Sequence, residues 1–295
     1  MFGQIERYWR KIMGNEKSEL KYYSEIGNWD FSKIKYTKEV IINWNFYEEI
    51  KRNTNEKSLC LDIGTGGGEK VLKCYPEVGM IIATDFSKEM IETAKENLKD
   101  YPNKKVKFVL MDNENMTFPK ECFDLVSARH TVINAKQIYD VLIPNGVLVI
   151  EGVDKEDCIE LKEIFGRGQC YNDEKAVSDI DYEDLKNAGF RDIEKVQIIR
   201  NEYYETKEDL LALLLKAPIL DDFSEENNAQ FEDKKWIETE LIEQYVEKYK
   251  TEKGILLKRR LYGIVGRKWV RKIVLRKLSK IKEKSFRVKK YGEKW

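Results

Sequence analysis

The most constraining feature of this sequence is an apolar run that ends in an acidic residue and a glycine-rich turn. Residues Leu59–Glu69 read Leu-Cys-Leu-Asp-Ile-Gly-Thr-Gly-Gly-Gly-Glu, and a helix-compatible run continues to Leu72. Glycine permits positive φ and lets a ligand approach the main chain where a Cβ would collide. The helix that follows offers unpaired N–H groups at its N-terminus. The stretch therefore predicts the first strand–turn–helix unit of a nucleotide-binding α/β sheet.

The glycine spacing argues against a dinucleotide ligand. A G-x-G-x-x-G fingerprint that starts at Gly64 needs its third glycine at position 69, which is Glu69. A second acidic residue, Asp85, ends the next apolar run, 21 residues after Gly64. That spacing suits a carboxylate that binds ribose hydroxyls at the end of a second strand. An ordinary tight turn is the alternative, and the second acid makes it less favoured.

Apolar runs alternate with helical patterns after this turn, which is typical of a parallel sheet with helices on its faces. Ser87 is placed to cap the second helix, and Gly189 to end a later one. The predicted strands are 58–63, 79–85, 105–111, 122–128, 146–151, 191–203 and 255–265. The predicted helices are 2–13, 44–51, 68–75, 87–99 and 181–189, with two or three more over 206–250 around the Ala217-Pro218 break.

The order D-x-G-x-G-x-G from Asp62 to Gly68 resembles motif I of class I S-adenosylmethionine-dependent methyltransferases. Further segments that carry the resemblance are Thr84–Met90, Met111–Asn113, Phe123–His130 and Leu142–Gly146. Segments outside this core resemble a bacterial group of methyltransferase-domain proteins with no assigned acceptor. The resemblance implies an α/β fold with a seven-stranded, doubly wound, Rossmann-like sheet. The chain would comprise an N-terminal helical cap (1–57), a methyltransferase domain (58–266) with a helical lid inserted at about 206–250, and a basic amphipathic C-terminal tail (267–295).

The resemblance also implies S-adenosyl-L-methionine as the cofactor and assigns its contacts. Asp62 would orient the amino group, Asp85 would bind both ribose hydroxyls, and Asp112 would accept from the adenine amino group, unless it only caps a loop. The remaining implied cofactor-binding residues are Gly64, Gly66 and Gly68 beside the methionine and ribose portion, Phe86 beside the adenine, Asn113 through its backbone N–H, and Arg129.

Two residues are candidates for catalysis. His130 follows the fourth strand, and it is the only histidine and the only side chain that titrates near neutrality. It is therefore the natural general base. The equally weighted alternative is that His130 is only hydrogen-bonded under the loop that holds the methionine part of the cofactor. Glu151 ends the fifth strand and is the second candidate, with a solvated strand-end carboxylate as its alternative.

Several classes of function are disfavoured by what the sequence lacks. No Asn/Asp-Pro-Pro-Tyr/Phe motif follows the fourth strand, which disfavours methylation of exocyclic amines in nucleic acids. No Pro-Cys pair is present for the cysteine-adduct route to 5-methylpyrimidine. Five scattered cysteines and one histidine make a metal site improbable. The absence of a signal peptide, a membrane-length apolar run and a disulfide pattern favours a cytoplasmic protein.

The charge balance is uneven although the whole chain is neutral, with 53 basic and 53 acidic residues. Residues 258–295 hold 16 Lys or Arg against two acids. Apolar residues within 267–284 share one face of a predicted helix. This basic amphipathic tail predicts contact with anionic membrane or RNA, or docking on the acidic body of the same chain.

These observations favour S-adenosylmethionine-dependent methyl transfer to an oxygen or nitrogen nucleophile of a small-molecule acceptor. One alternative is an RNA methyltransferase that uses the basic tail. Another is a protein that binds S-adenosylmethionine without catalysis.

Overall fold

The computed structural model describes residues 31–220 and 239–269 of the chain. Its strands are β1 (Tyr36–Ile42), β2 (Leu59–Ile63), β3 (Met80–Asp85), β4 (Val106–Leu110), β5 (Phe123–Arg129), β6 (Leu142–Val153), β7 (Phe190–Tyr204), β8 (Lys250–Thr251) and β9 (Gly254–Lys268). Its helices are α1 (Phe46–Arg52), α2 (Glu69–Cys74), α3 (Lys88–Asn97), α4 (Ala135–Val141), α5 (Ile159–Phe165), α6 (Val177–Ala188), α7 (Lys207–Lys216) and α8 (Thr239–Tyr249).

The strands form one mixed sheet in the order β1-β7-β9-β6-β5-β2-β3-β4, with β8 paired to β9. Strands β2 to β6 run parallel to their neighbours within that group. Strand β9 is antiparallel to both β6 and β7. The order reverses at β2: the chain leaves β2 toward one face of the sheet and leaves β5 toward the other, which opens a crevice at the carboxyl edge. The predicted doubly wound Rossmann-like fold is confirmed. The predicted count of seven strands is too low, because the described residues form nine and neither β1 nor β8 was predicted.

Alternate side chains of the central strands feed two cores, one on each face of the sheet. Cys60 points to the side covered by α1, α2 and α3. Its neighbour Leu61 points to the side covered by α4 and α6. A third apolar cluster joins the ends of β7 and β9 to α5, α7 and α8. Burial of both faces explains why the central strands are almost continuously apolar.

The predicted helical cap over 1–57 is wrong for residues 36–42, which form strand β1 and extend the sheet next to β7. All seven residues of β1 are exposed. The sequence therefore lacks a burial alternation that would predict a strand. The predicted helix near 44–51 is present as α1, and the side chain of Asn45 caps it. The predicted helix near Phe2–Met13 lies outside the described residues.

Two other predicted boundaries shift. The tail was predicted to begin at residue 267, but β9 continues to Lys268. Its last residues pair with Arg191 and Phe190 of β7. The predicted insertion of about 206–250 is helical over α7 and α8, and its residues 221–238 lie outside the described part. None of the helices that the structure describes is both long and apolar enough to cross a membrane.

Candidate active site

The glycine-rich turn connects β2 to α2 and holds three glycines at positive φ: Gly64 at 68°, Gly66 at 58° and Gly68 at 76°. Gly64 and Gly66 line a large cavity at the carboxyl edge of the sheet. A Cβ on Gly64 would lie 2.4 Å from the Cβ of Thr131, so the turn and the loop after β5 touch closely here. Any side chain at this position would have to displace that loop.

Gly68 was predicted to pass beside the cofactor, but it is not among the described residues that line the cavity. It is the N-cap of α2, and a Cβ there would lie 2.7 Å from the ring of Phe108. Gly68 thus lets α2 approach β4, and the structure gives it a packing role.

Asp85 ends β3 and connects the turn to the next loop. Its carboxylate accepts hydrogen bonds from the backbone N–H groups of Gly66, at 2.8 Å, and Ser87, at 2.9 Å. Burial raises the pKa of this carboxyl, although these backbone donors oppose the rise. Asp85 lines the cavity, so the group that supports the turn also faces the space where a ligand would lie.

Asp62, at the end of β2, is buried and also lines the cavity. Ser127 of β5 donates a 2.6 Å hydrogen bond to its Oδ1 atom. Burial raises the pKa of Asp62 to about 6, against the opposing effect of Ser127. Ser127 is a supporting residue that sequence reasoning missed, because it lies 65 positions away and only the strand pairing brings it near.

Asp112, Asn113 and Phe86 line the same side of the cavity. The carboxylate of Asp112 accepts from the backbone N–H of Glu114 and from the side-chain amide of Asn115, so it also caps its own turn, as the alternative interpretation expected. The side-chain amide of Asn113 donates to the hydroxyl of Thr131 at 3.2 Å.

His130, Arg129 and Glu151 meet at the ends of β5 and β6. The guanidinium Nε of Arg129 donates to Oε1 of Glu151 at 2.8 Å, and Nε2 of His130 lies 3.3 Å from the same oxygen. His130 has a φ of 54°, and its backbone N–H donates to the carbonyl of Glu151. This left-handed backbone, unusual for a residue with a side chain, directs the histidine toward the strand end where Glu151 lies.

The electrostatics of this group favour a neutral histidine beside an ionised glutamate. Burial and the charge of Arg129 lower the pKa of His130, and the contact with Glu151 only partly opposes them. Burial would favour the neutral acid of Glu151, but His130 and Arg129 lower its pKa to about 2. A carboxylate with so low a pKa is a weak base, so a supporting role suits Glu151 better than proton abstraction.

The cavity has a volume of about 1650 Å³ and extends from the turn across His130 to the far strands β1, β7 and β9. At that end it is lined by charged residues that sequence reasoning missed. Arg259 of β9 forms a two-point ion pair with Asp157, with two N–O distances of 2.9 Å. Arg200 of β7 donates from Nε to Glu202 at 2.8 Å. The alternation Arg200-x-Glu202-x-Tyr204 was the available signal, because alternate residues of a strand share one face.

One buried polar atom of the cavity lining, Asn113 Oδ1, has no hydrogen-bond partner among the described residues. The side chain of Thr65, which also lines the cavity, interacts with Asp62 and lowers the pKa of that carboxyl. Buried polar atoms are almost always satisfied in native proteins, so Asn113 Oδ1 indicates a polar ligand. Together with the carboxylates of Asp62 and Asp85, it fits a cofactor that carries hydroxyl and amino groups. No grouping of His, Cys, Asp and Glu in residues 31–220 and 239–269 could hold a metal ion.

Comparison with known proteins assigns the central part of the chain. Residues 61–150 match the family described as a methyltransferase domain. The uncharacterized methyltransferase YcgJ of Bacillus subtilis is 34% identical over 70 residues, which are 24% of this chain and 28% of that protein. A malonyl-[acyl-carrier protein] O-methyltransferase of Halalkalibacterium halodurans is 31% identical over 124 residues, which are 38% of this chain and 45% of that protein. The chain therefore matches less than half of the length of these curated relatives.

The crystal structure of YcgJ from Bacillus subtilis resembles this chain with a TM-score of 0.51 at 18% sequence identity. The likeness covers 76% of this chain and 97% of that one. At this level of identity it establishes the shared fold.

Proposed function

We propose that the protein transfers the methyl group of S-adenosylmethionine to an oxygen or nitrogen nucleophile of a small molecule, a proposal supported by the match of residues 61–150 to a methyltransferase domain. The observation that carries the proposal is a single cavity lined by the glycine turn, by the carboxylate of Asp85 and by His130. Donor and acceptor could thus meet in one cavity, and alignment of the two supplies much of the rate of such a transfer.

We infer that Asp85 receives the ribose hydroxyls and that Asp62 orients the amino group of S-adenosylmethionine. Asp85 is suited to this role because Gly66 and Ser87 hold its carboxylate in place. A donor group of the same ligand would satisfy the unpaired side-chain oxygen of Asn113. When bound, the cofactor supplies a methyl group already activated by the positive charge on its sulfur.

His130 is the proposed general base. Its lowered pKa keeps the imidazole neutral at pH 7. Because Nε2 faces Glu151, Nδ1 is the ring atom that would receive the proton of an N–H or O–H nucleophile. Glu151 would stabilise the imidazolium that forms, as a carboxylate does in other histidine-dependent sites, so we propose it as a positioning residue. Arg129 holds Glu151 on its other side.

The apolar part of the cavity lining supports a small acceptor over a polymer. Residues from α7 and the segment after it, including Leu213 and Ile219, line the cavity together with Phe31 and Ile34. These apolar side chains belong to the third hydrophobic cluster. They would exclude water from a bound acceptor, which suits a small-molecule site.

Incubation of the full-length protein with methyl-labelled S-adenosylmethionine and fractionated cell extract tests the proposal. We expect label in the metabolite fraction, and this labelling should disappear in Asp85→Ala. Label confined to RNA would instead support the RNA methyltransferase. Tight cofactor binding without label in any fraction would favour a non-catalytic binding protein. The predicted contact of the basic tail (267–295) with membrane or RNA stays a prediction, because residues 270–295 of the tail lie outside the described part.

A further inference from the structure

The far end of the cavity carries two arginines directly opposite each other on neighbouring strands. Arg200 of β7 pairs in register with Arg259 of β9. Like charges in directly opposite positions destabilise a sheet, so packing alone does not account for this pair. The fold offsets the repulsion with two buried carboxylates, Asp157 and Glu202.

The two arginines are not equivalent. Arg259 is saturated by protein groups, because Nε and Nη2 donate to Asp157 and Nη1 lies 3.5 Å from Glu202. Arg200 is held through Nε alone, by Glu202. Among the described residues nothing else accepts from its guanidinium, and its side chain is 27% exposed at the cavity. Its two terminal amino groups are therefore available to a ligand.

Strand β1 adds a second cation to this face. Lys38 pairs in register with Glu202 and lines the cavity. No described residue forms an ion pair with its ammonium group. The face made by Lys38, Arg200 and Arg259 also holds the carboxylates of Asp157 and Glu202, which engage Arg259 and one nitrogen of Arg200. The ammonium of Lys38 and the terminal amino groups of Arg200 remain as charged donors, and such donors bind anions.

An apolar surface lies beside these cations. The ring of Tyr204 stacks on Tyr36 with centroids 5.3 Å apart. The Tyr204 hydroxyl donates to Glu202, which ties the ring to the charged group. Leu213 and Ile219 belong to the same hydrophobic cluster as Tyr204 and also line the cavity. A ligand here meets cations at one end and an aromatic and aliphatic wall at the other.

We propose that the β1–β7–β9 face of the cavity is a subsite for an acceptor that carries a carboxylate or phosphate group on an apolar chain or ring. The anionic group binds the terminal amino groups of Arg200 and the ammonium of Lys38, and the apolar part packs on Tyr204, Leu213 and Ile219. Guanidinium groups bind both kinds of anion through two parallel hydrogen bonds. This inference rests on the proposed function only in calling the ligand the methyl acceptor.

The subsite and the proposed base line the same cavity. An acceptor anchored at Arg200 can therefore extend toward His130 without leaving that cavity. Charge on the acceptor would then fix its orientation, which is how polar groups provide specificity in largely apolar sites.

Calorimetry on the full-length protein saturated with S-adenosylhomocysteine tests the subsite. The probes are hexanoate, hexyl phosphate, hexanol and hexylammonium, which share a chain and differ in the head group. We expect at least one of the two anions to bind at least tenfold more tightly than hexanol, and hexylammonium to bind more weakly. The tighter anion identifies carboxylate or phosphate as the preferred group. Anions that bind no better than hexanol would overturn the proposal.

Variants make the test specific to the two cations. Arg200→Gln and Lys38→Gln should each weaken binding of the anion about tenfold, because each removes a charge-assisted hydrogen bond, and should leave hexanol binding unchanged. Lys107→Gln, which removes an exposed strand lysine from β4 outside the cavity lining, is the matched control. Lys38 is exposed, so its variant keeps the test valid if Arg200→Gln fails to fold.

The outcome is separable from that of the proposed function. Anion binding that depends on Lys38 and Arg200, with no methyl transfer to any fraction, would retain the subsite and remove the proposed function. Methyl transfer together with anion binding that is unaffected by both variants would retain the function and remove the subsite.

Discussion

The carboxylate of Asp85 accepts a 2.8 Å hydrogen bond from the backbone N–H of Gly66, and this bond joins the end of β3 to the turn after β2. The acid that the sequence assigns to ligand binding therefore also shapes the loop on the neighbouring strand. Substitution of Asp85 would remove the proposed ligand contact and a loop support together. The two effects can be separated by comparing Asp85→Asn, which removes the charge but keeps an acceptor oxygen, with Asp85→Ala, which removes both.

We expect Asp85→Ala to weaken binding of S-adenosylhomocysteine at least tenfold, because the ribose hydroxyls lose a charged acceptor and each such bond is worth ~1.5–3 kcal/mol. Asp85→Asn retains an oxygen for Gly66 and should lose less affinity. Isothermal titration of the two folded variants measures the difference. Unchanged affinity in Asp85→Ala would remove Asp85 from the cofactor site.

His130→Ala should lower turnover ~10²–10⁴-fold, the usual contribution of a general base, and should leave cofactor affinity nearly intact. Burial and Arg129 hold the pKa of His130 below its ordinary value of 6.5. The wild-type enzyme should therefore keep its activity as the pH falls to 6.5 and lose it only below that value, where the imidazole becomes protonated. Measurement of turnover between pH 5 and 8 gives this acidic limb of the pH–activity profile. Retained turnover with impaired cofactor binding would make His130 a cofactor-side residue.

Glu151→Gln distinguishes a positioning role from a catalytic one. Glu151 raises the pKa of His130, so its neutralisation should move the acidic limb of the pH profile to lower pH while reducing turnover. If Glu151 were itself the base, the variant would lose the acidic limb together with the activity. Glu92→Gln, on the exposed face of α3, is a matched control that should change neither quantity.

Asp181 should make the protein less stable as the pH rises. Burial raises the pKa of this carboxyl to about 7, although Tyr262 donates a 2.6 Å hydrogen bond to it. The folded state holds this proton to higher pH than the unfolded state, so the stabilisation is present below about pH 4 and is lost as the pH approaches 7. Asp181→Asn should avoid this loss and gain roughly 1 kcal/mol or more relative to wild type between pH 4.5 and 7.5.

Urea unfolding at several pH values measures the difference in free energy of unfolding between wild type and Asp181→Asn. The control is Asp179→Asn, which lies on the same helix as Asp181 and removes an exposed ion-pair partner of Lys195. Its difference from wild type should not widen with pH. A constant difference between wild type and Asp181→Asn across the range would contradict the prediction.

The two possible starting points of the C-terminal tail can be compared by truncation. Removal of 267–295 takes away Lys268, whose ammonium donates at 2.7 Å to the buried carbonyl of Leu142, and Arg267, which donates to Asn53. Removal of 270–295 retains both. We expect the first truncation to be less stable by about 1–3 kcal/mol, the usual effect of leaving a buried acceptor unpaired. Equal unfolding midpoints would show that the end of β9 adds no stability.

The shorter deletion is also the proper test of the tail. Cosedimentation with anionic vesicles and with RNA at two salt concentrations should show binding by the full-length chain that the 270–295 truncation loses, while cofactor titration is unchanged. Full-length protein that ignores both partners would end the interaction hypothesis.

The central strands, the glycine turn and Asp85 could be predicted from the sequence because each depends on residues close together in the chain. Buried parallel strands are continuously apolar, and the caps at Ser87 and Gly189 are local signals that the structure retains. Strand β1 could not be predicted in this way. Its residues are all exposed, so β7 rather than a burial pattern makes this segment a strand.

By itself, the sequence determined the fold class, the glycine turn and the acidic residues at the strand ends, since short-range spacing encodes the turn and its flanking strands; the cofactor was implied by the family resemblance. Only the tertiary structure decided which distant side chains meet. The contact of His130 with Glu151, the opposition of Arg200 and Arg259, and the packing role of Gly68 arise from strand register and helix docking. These depend on the free energy of the whole packed chain, which no local pattern contains.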